Sequence, residues 1–199
     1  SIGVLTIGVG DARLERMLLD RGYDVYALDP SQSIVDWLRE KYGLDESKAR
    51  CGWSTDLPFG DETFDWVVMS EVIEHIAPDE MRPTMAEVGR VLKRGGCLIG
   101  TVPDNEDLDS NRFTCSHCGA KSHRVGHEQS FTVSSLRAAL APPFKVVRAE
   151  SFRGLYMNWK AIVYYQWIDL PFKFARLVKP DVRAPHQIVF NIFFIAEKT

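Results

Sequence analysis

Three groups of side chains in this chain have the types and spacing to do chemistry. The densest is Cys115-x-x-Cys118, followed by His123 and His127. Paired thiolates with two imidazoles behind them form a soft sulfur and nitrogen set of the kind that selects Zn²⁺. Four such ligands close the coordination shell, so zinc is expected here as a staple for its loop and not as a substrate site. The gap between the two pairs is far shorter than in a DNA-reading finger and leaves no recognition helix. The second group is Glu71-x-x-Glu74-His75. On a helix, positions i, i+3 and i+4 are neighbours, which would put both carboxylates and the imidazole on one face. His75 is then the first choice of general base, because histidine titrates near neutrality, with Glu71 and Glu74 as base, orienter or metal ligands. Both groups claim His127, and we assign it to the cysteine set. His117, between the cysteines, is read as a bystander.

The third group opens the chain. Ile2 to Ile7 is an apolar run broken at Gly8-Val9-Gly10-Asp11-Ala12. Glycines there let a ligand approach the main chain, and the free N–H groups of the following helix start face whatever sits above. Asp29 ends the next apolar run, 19 residues beyond Gly10. That is close to the roughly 20 expected of a carboxylate that grips ribose hydroxyls. A nucleoside-bearing cofactor follows. Arg13 stands where a dinucleotide fingerprint needs a small residue, and no G-x-x-x-x-G-K-[ST] is present to cradle a nucleoside triphosphate.

The elements that must position these groups alternate. Strands are predicted near Ile2 to Ile7, Tyr23 to Asp29, Ala49 to Trp53, Phe64 to Ser70 and Cys97 to Val102. Helices are predicted over about Ala12 to Arg21, from a Ser33-x-x-Asp36 cap, over about Asp79 to Lys93 with a stop at Gly95-Gly96, and after a Thr132 cap. Strands alternating with helices imply an α/β fold with a doubly wound, mostly parallel sheet, whose ligands sit at the carboxyl ends of the strands. Two last strands, Phe144 to Phe152 and His186 to Lys198, would complete seven. Residues 104–127 are an inserted polar loop, long for a connection. Cys51 and Cys97 fall in predicted strands and read as buried small hydrophobes.

The bulk numbers are those of one domain. The chain has 199 residues, is 45% hydrophobic and carries a formal charge of −3, enough for a sizeable core. Mild acidity without a basic run argues against a general nucleic-acid binder. No apolar stretch reaches the roughly 18–20 residues of a membrane span, and the front of this sequence does not show the charged-then-apolar pattern expected of a signal peptide. Four cysteines are too few for a secreted disulfide scaffold, so a cytoplasmic setting is expected. Any N-terminal lid helix lies beyond this sequence.

Several pieces now line up with a known family. Val4-Leu5-Thr6-Ile7-Gly8-Val9-Gly10 resembles the first motif of class I S-adenosylmethionine-dependent methyltransferases, and Val25-Tyr26-Ala27-Leu28-Asp29 resembles the second. Asp56-Leu57-Pro58-Phe59, Phe64-Asp65-Trp66-Val67-Val68 and Val91-Leu92-Lys93-Arg94-Gly95-Gly96-Cys97-Leu98 resemble later ones, as in the type 11 and ubiquinone-pathway groups. The resemblance implies a Rossmann-like sheet closed by an antiparallel C-terminal hairpin. It implies S-adenosyl-L-methionine as cofactor, with Gly8 and Gly10 under its methionine part and Asp29 at its ribose. Pro30 follows in the same turn, Ser54 and Thr55 would lie beside adenine, and Ser70 and Glu71 would close the pocket. Thr6 and Trp53 depart from the family pattern. Glu71-x-x-Glu74-His75 with a later histidine also resembles metal-dependent O-methyltransferases that act on small-RNA ribose or in ubiquinone synthesis.

The expected acceptor is a small molecule or a glycan or lipid-linked hydroxyl. Alternatives are metal-assisted methylation of RNA ribose and a non-catalytic subunit that kept the fold. The aromatic insertion at 154–185 holds Tyr156, Trp159, Tyr164, Tyr165, Trp167, Phe172 and Phe174. It is open to three readings: core, acceptor-pocket wall, or a face contacting a membrane surface.

Overall fold

The computed structural model describes residues 1–155 and 188–199. The first half is built as alternating strands and helices: β1 (Gly3–Ile7), α1 (Arg13–Asp20), β2 (Asp24–Asp29), α2 (Gln32–Tyr42), β3 (Ala49–Cys51) and β4 (Phe64–Ser70). A single 3₁₀ turn, Ile73–His75, precedes α3 (Met81–Val91) and β5 (Leu92–Pro103). A small ribbon follows, β6 (Arg112–Thr114) and β7 (Lys121–His123), then α4 (Val133–Leu140), β8 (Phe144–Leu155) and β9 (Ile188–Lys198).

Seven strands form one sheet in the order β3-β2-β1-β4-β5-β9-β8. The first five pair in parallel, and β9 runs antiparallel to both β5 and β8. This is the mostly parallel sheet the alternation implied, closed by the antiparallel hairpin that the family resemblance implied. Alternate residues of β1 face opposite layers, as the period of a strand requires. Val4 packs with Leu18 of α1, while Leu5 and Ile7 pack with Met81, Met85 and Val88 of α3. Both faces are covered, which is why Val67, Val68 and Met69 in β4 are all buried. The strand order reverses between β1 and β4, and that switch point is where doubly wound sheets bind ligands.

Local expectations divide. Helix α4 is capped as predicted: Thr132 Oγ1 accepts from Ser135 N–H and the Ser135 hydroxyl accepts from Thr132 N–H. Helix α2 starts at Ser31 instead of Ser33, so Ser33 lies inside the helix and Asp36 accepts from Gln32 Nε2 at 2.8 Å. Helix α3 does not run to the Gly95-Gly96 pair. Thr63 N–H bonds to Val91 carbonyl at 2.8 Å and Leu92 pairs with Phe64, so sheet pairing takes over two residues early. The expected insertion at 154–185 lies, beyond the end of β8, outside the described residues.

Candidate functional site at the carboxyl ends of β1, β2 and β4

The opening turn is a backbone device. Gly8 sits at φ +76°, and a Cβ there would lie 2.5 Å from Val72 Cγ2. Only glycine fits both demands, so the turn packs closely on the segment after β4. Gly10 (φ 59°) and Ala12 (φ 55°) continue the left-handed path into α1. Asp29 is 6% exposed, and its two carboxylate oxygens are spent on backbone. Oδ2 accepts from Val9 N–H at 3.0 Å and Oδ1 from Ser31 N–H at 2.9 Å. Each oxygen keeps further lone-pair capacity, so the carboxylate ties the glycine turn to the end of β2 and can still accept from a ligand hydroxyl. A cleft lined by Thr6, Gly8, Val9, Asp11 and Ser70 opens at this turn.

The neighbouring candidates sit around that frame. Gly52 N–H donates to the Asp29 carbonyl at 3.2 Å, bringing the turn after β3 to the end of β2. Within that turn Ser54 Oγ pairs with Thr84 Oγ1 at 3.1 Å, Thr55 is half-buried and Trp53 is exposed. The Pro30 carbonyl accepts from the Cys51 thiol at 3.4 Å. Cys51 is exposed, not buried as its place in the third strand suggested, because β3 is an edge strand only three residues long. Ser70 Oγ is bonded to Thr101 Oγ1 at 2.8 Å at the buried end of β4.

Glu71, Glu74 and His75 do not share a helical face. Glu71 takes a left-handed backbone (φ 54°), so only a three-residue 3₁₀ turn forms after it. Its carboxylate accepts from Asn191 Nδ2 of β9 at 3.0 Å. Glu74 is buried at 1% exposure, and Glu74, His75 and His127 offer ligand atoms within 4.8 Å of one another. Thus the structure replaces Glu71 by His127 in the second predicted group.

What brings His127 there is the long loop. Asn105 N–H bonds to the Phe131 carbonyl at 2.7 Å, and Glu128 and Gln129 N–H both reach the Glu74 carbonyl at 2.8 and 3.1 Å. The segment ahead of α4 is therefore latched onto the 3₁₀ turn. His127 stands edge-to-face on His75 at 4.7 Å and stacks on His123 at 4.8 Å. His75 Nδ1 lies 3.1 Å from the Gly126 carbonyl. Burial of part of its ring, and secondarily the nearby His127, hold the His75 pKa below the ordinary histidine value although one edge reaches solvent.

The cysteine set is not assembled as expected. His123 pairs with Arg112 at the open end of the β6–β7 ribbon, whereas Cys115 and Cys118 form its turn. A three-residue strand rises about 3.3 Å per residue, so the thiols and His123 are held roughly 10 Å apart along the ribbon. Among the described residues, the groups that could share an ion are Glu74, His75 and His127, and Glu106, His123 and His127; neither contains a cysteine. Backbone N–H groups of Cys118 and His117 point at the Cys115 sulfur and lower its thiol pKa. Sequence reasoning missed Glu106, the carboxylate that both loop histidines meet. It stands alone in a polar stretch, and only the closing of the loop reveals it.

Residues 5–100 match the family described as a methyltransferase domain, a stretch that contains the glycine turn, Asp29 and the end of β4. An uncharacterized methyltransferase of Mycobacterium tuberculosis is 35% identical over 104 residues, which are 52% of this chain and 40% of that protein. An uncharacterized methyltransferase of Staphylococcus carnosus is 34% identical over 96 residues, 48% of this chain and 44% of that protein. The chain thus spans less than half the length of these curated relatives. Among solved structures, the Burkholderia thailandensis 1,6-didemethyltoxoflavin-N1-methyltransferase, with bound 1,6-didemethyltoxoflavin and S-adenosylhomocysteine, superposes with a TM-score of 0.64. It shares 17% identity, over 99% of this chain and 71% of the other, and shows the fold to be Rossmann-like.

Proposed function

Taking the methyltransferase domain at residues 5–100 as premise, we propose that this chain is an S-adenosylmethionine-dependent O-methyltransferase. Its acceptor would be a small molecule or a glycan or lipid-linked hydroxyl, in a cytoplasmic setting. The carrying observation is the Asp29 carboxylate, buried at the switch point and clamped to Val9 N–H of the glycine turn at 3.0 Å. The residues present fit the cofactor: a glycine turn bordered by the cleft that Thr6, Gly8, Val9 and Ser70 line, and an acid with acceptor capacity left over. S-adenosylmethionine supplies a methyl group on a sulfonium sulfur. The chain's part is to hold the acceptor oxygen in line and to take its proton, since positioning can supply most of the acceleration. His75 is the base: the Gly126 carbonyl can only accept, so its Nδ1 carries the proton and its Nε2 keeps a lone pair. Among the described residues no helix is long and apolar enough to cross a membrane.

A second reading has its own observation, the meeting of Glu74, His75 and His127 within 4.8 Å. Those three fit a divalent cation, which would lower the pKa of an acceptor hydroxyl, with His75 then a ligand and not the base. Vicinal hydroxyls, as on RNA ribose, suit such an ion.

Titration calorimetry with S-adenosylhomocysteine tests the cofactor reading. Saturable heat is expected, and none at millimolar ligand would overturn it. Labelled methyl transfer to hydroxyl-bearing pools tests the reaction, and binding without transfer to any of them would identify a non-catalytic subunit.

A further inference from the structure

Glu106 lies outside every motif, yet it is the hub of the imidazole cluster. Its Oε2 is hydrogen-bonded to His127 Nδ1. Its Oε1 accepts from Asn111 Nδ2 at 2.9 Å and lies 3.4 Å from His123 Nε2. An ionised carboxylate only accepts, so the proton of neutral His127 is on Nδ1. The other nitrogen of His127, Nε2, then carries a lone pair and points at the Glu74 carboxylate 3.9 Å away. His123 is fixed too. Its Nδ1 accepts from His127 N–H at 3.1 Å, which places its proton on Nε2, on the side of Glu106.

Two groups of three share His127, and these proton positions separate them. A nitrogen that carries a proton cannot ligate, so His123 is excluded as an Nε2 ligand and Glu106 is engaged by neighbouring N–H groups. His75 and His127, by contrast, both have Nδ1 turned to an oxygen, the Gly126 carbonyl and Glu106, which leaves a lone pair on each Nε2. That of His127 lies 3.9 Å from Glu74, and the three residues offer ligand atoms within 4.8 Å of one another. A ligating imidazole that donates its other N–H to a carboxylate or carbonyl is the arrangement that orients metal ligands.

We propose that Glu106, backed by Asn111 and His123, is a positioning residue that locks His127 with Nε2 directed at a divalent-cation site formed by Glu74, His75 and His127. This rests on the metal reading above for the identity of the guest, but the lock itself belongs to the metal-free protein. The Cys115 and Cys118 thiols take no part in it.

The test reads both. In histidine-¹⁵N-labelled, metal-free protein, long-range ¹H–¹⁵N correlations should show His127 with its proton on Nδ1 and His123 with its proton on Nε2. A His127 proton on Nε2 would overturn the proposal. Titration with Co²⁺ alone, followed by visible absorption, should show a nitrogen and oxygen site without thiolate charge-transfer bands. Glu106→Gln should weaken Co²⁺ binding by roughly 10–100-fold, the usual loss when such a partner is removed. It should also mix the His127 tautomers, while affinity for S-adenosylhomocysteine stays unchanged. Cys115→Ser with Cys118→Ser should leave the Co²⁺ affinity as it was. An unaltered tautomer and affinity in Glu106→Gln would sink the assignment. Should the unaltered protein refuse Co²⁺ while His127 shows the expected tautomer, the metal reading falls and the Glu106 lock stands.

Discussion

The glycine turn and the imidazole cluster lie near the same end of the sheet, and they are made in opposite ways. The turn is assembled from neighbours on adjacent parallel strands: Gly8, Val9 and Asp29 meet because β1 pairs with β2, and the contacts are backbone N–H groups on one carboxylate. The cluster gathers residues 74, 75, 106, 123 and 127 from a 3₁₀ turn and a long loop, and its contacts are side chain to side chain. A site made of backbone tolerates side-chain change poorly only where the chain itself must bend. A site made of side chains on a loop depends on the latches that close the loop.

That contrast can be broken experimentally, and the largest effect is expected at the clamp. Asp29→Ala removes two hydrogen bonds to a charged acceptor within the turn and the proposed ribose contacts. Such bonds contribute roughly 1.5–3 kcal/mol each, so affinity for S-adenosylhomocysteine should fall by about 100-fold or more in calorimetry. A change under threefold would remove Asp29 from the cofactor site. Next comes Gly8→Ala. The left-handed backbone alone costs about 1–2 kcal/mol, and the Cβ would sit 2.5 Å from Val72 Cγ2. Thermal unfolding should drop by several degrees, and Val72→Ala on the same background should restore part of it. No recovery would mean that the strain is in the backbone alone.

The thiols sharpen the other side. Cys115, exposed to two N–H donors, should alkylate with iodoacetamide at mildly alkaline pH well ahead of Cys97. Burial, with Glu197 nearby second, raises the Cys97 thiol pKa. Mass spectrometry of the digested protein reads the order, and Cys97 reacting first would contradict both environments. The smallest effect belongs to the paired replacement Cys115→Ser and Cys118→Ser. With the thiols at the outer turn of the ribbon and outside both ligand groups, stability should change by no more than about 0.5 kcal/mol. A loss of several kcal/mol would restore the zinc staple that the spacing suggested.

The terminal hairpin was implied only by the family resemblance, whereas the alternation of strands and helices, the glycine turn and Asp29 were legible in the sequence, because each depends on periodicity or on spacing within one βαβ step. The Thr132 cap was legible for the same reason. The start of α2 was not, since Ser31 and Ser33 both offer cap chemistry and only the path out of Asp29 chooses between them. Cys-x-x-Cys with two histidines following is not assembled among the described residues, because ligand spacing assumes a compact knuckle and the chain between Cys118 and His123 runs into the extended strand β7. Glu71-x-x-Glu74-His75 misled for a related reason, as the helical face it presupposes stops at the left-handed backbone of Glu71.

By itself, then, the chain's order of residues determined the doubly wound α/β sheet and the half of the site that hangs on adjacent strands. Folding in three dimensions decided the other half. Which of five dispersed acids and imidazoles meet, and which nitrogen each histidine turns inward, depends on how residues 104–127 close over the 3₁₀ turn. Closure of that kind is set by long-range hydrogen bonds such as Glu128 N–H to the Glu74 carbonyl, and no local spacing encodes them.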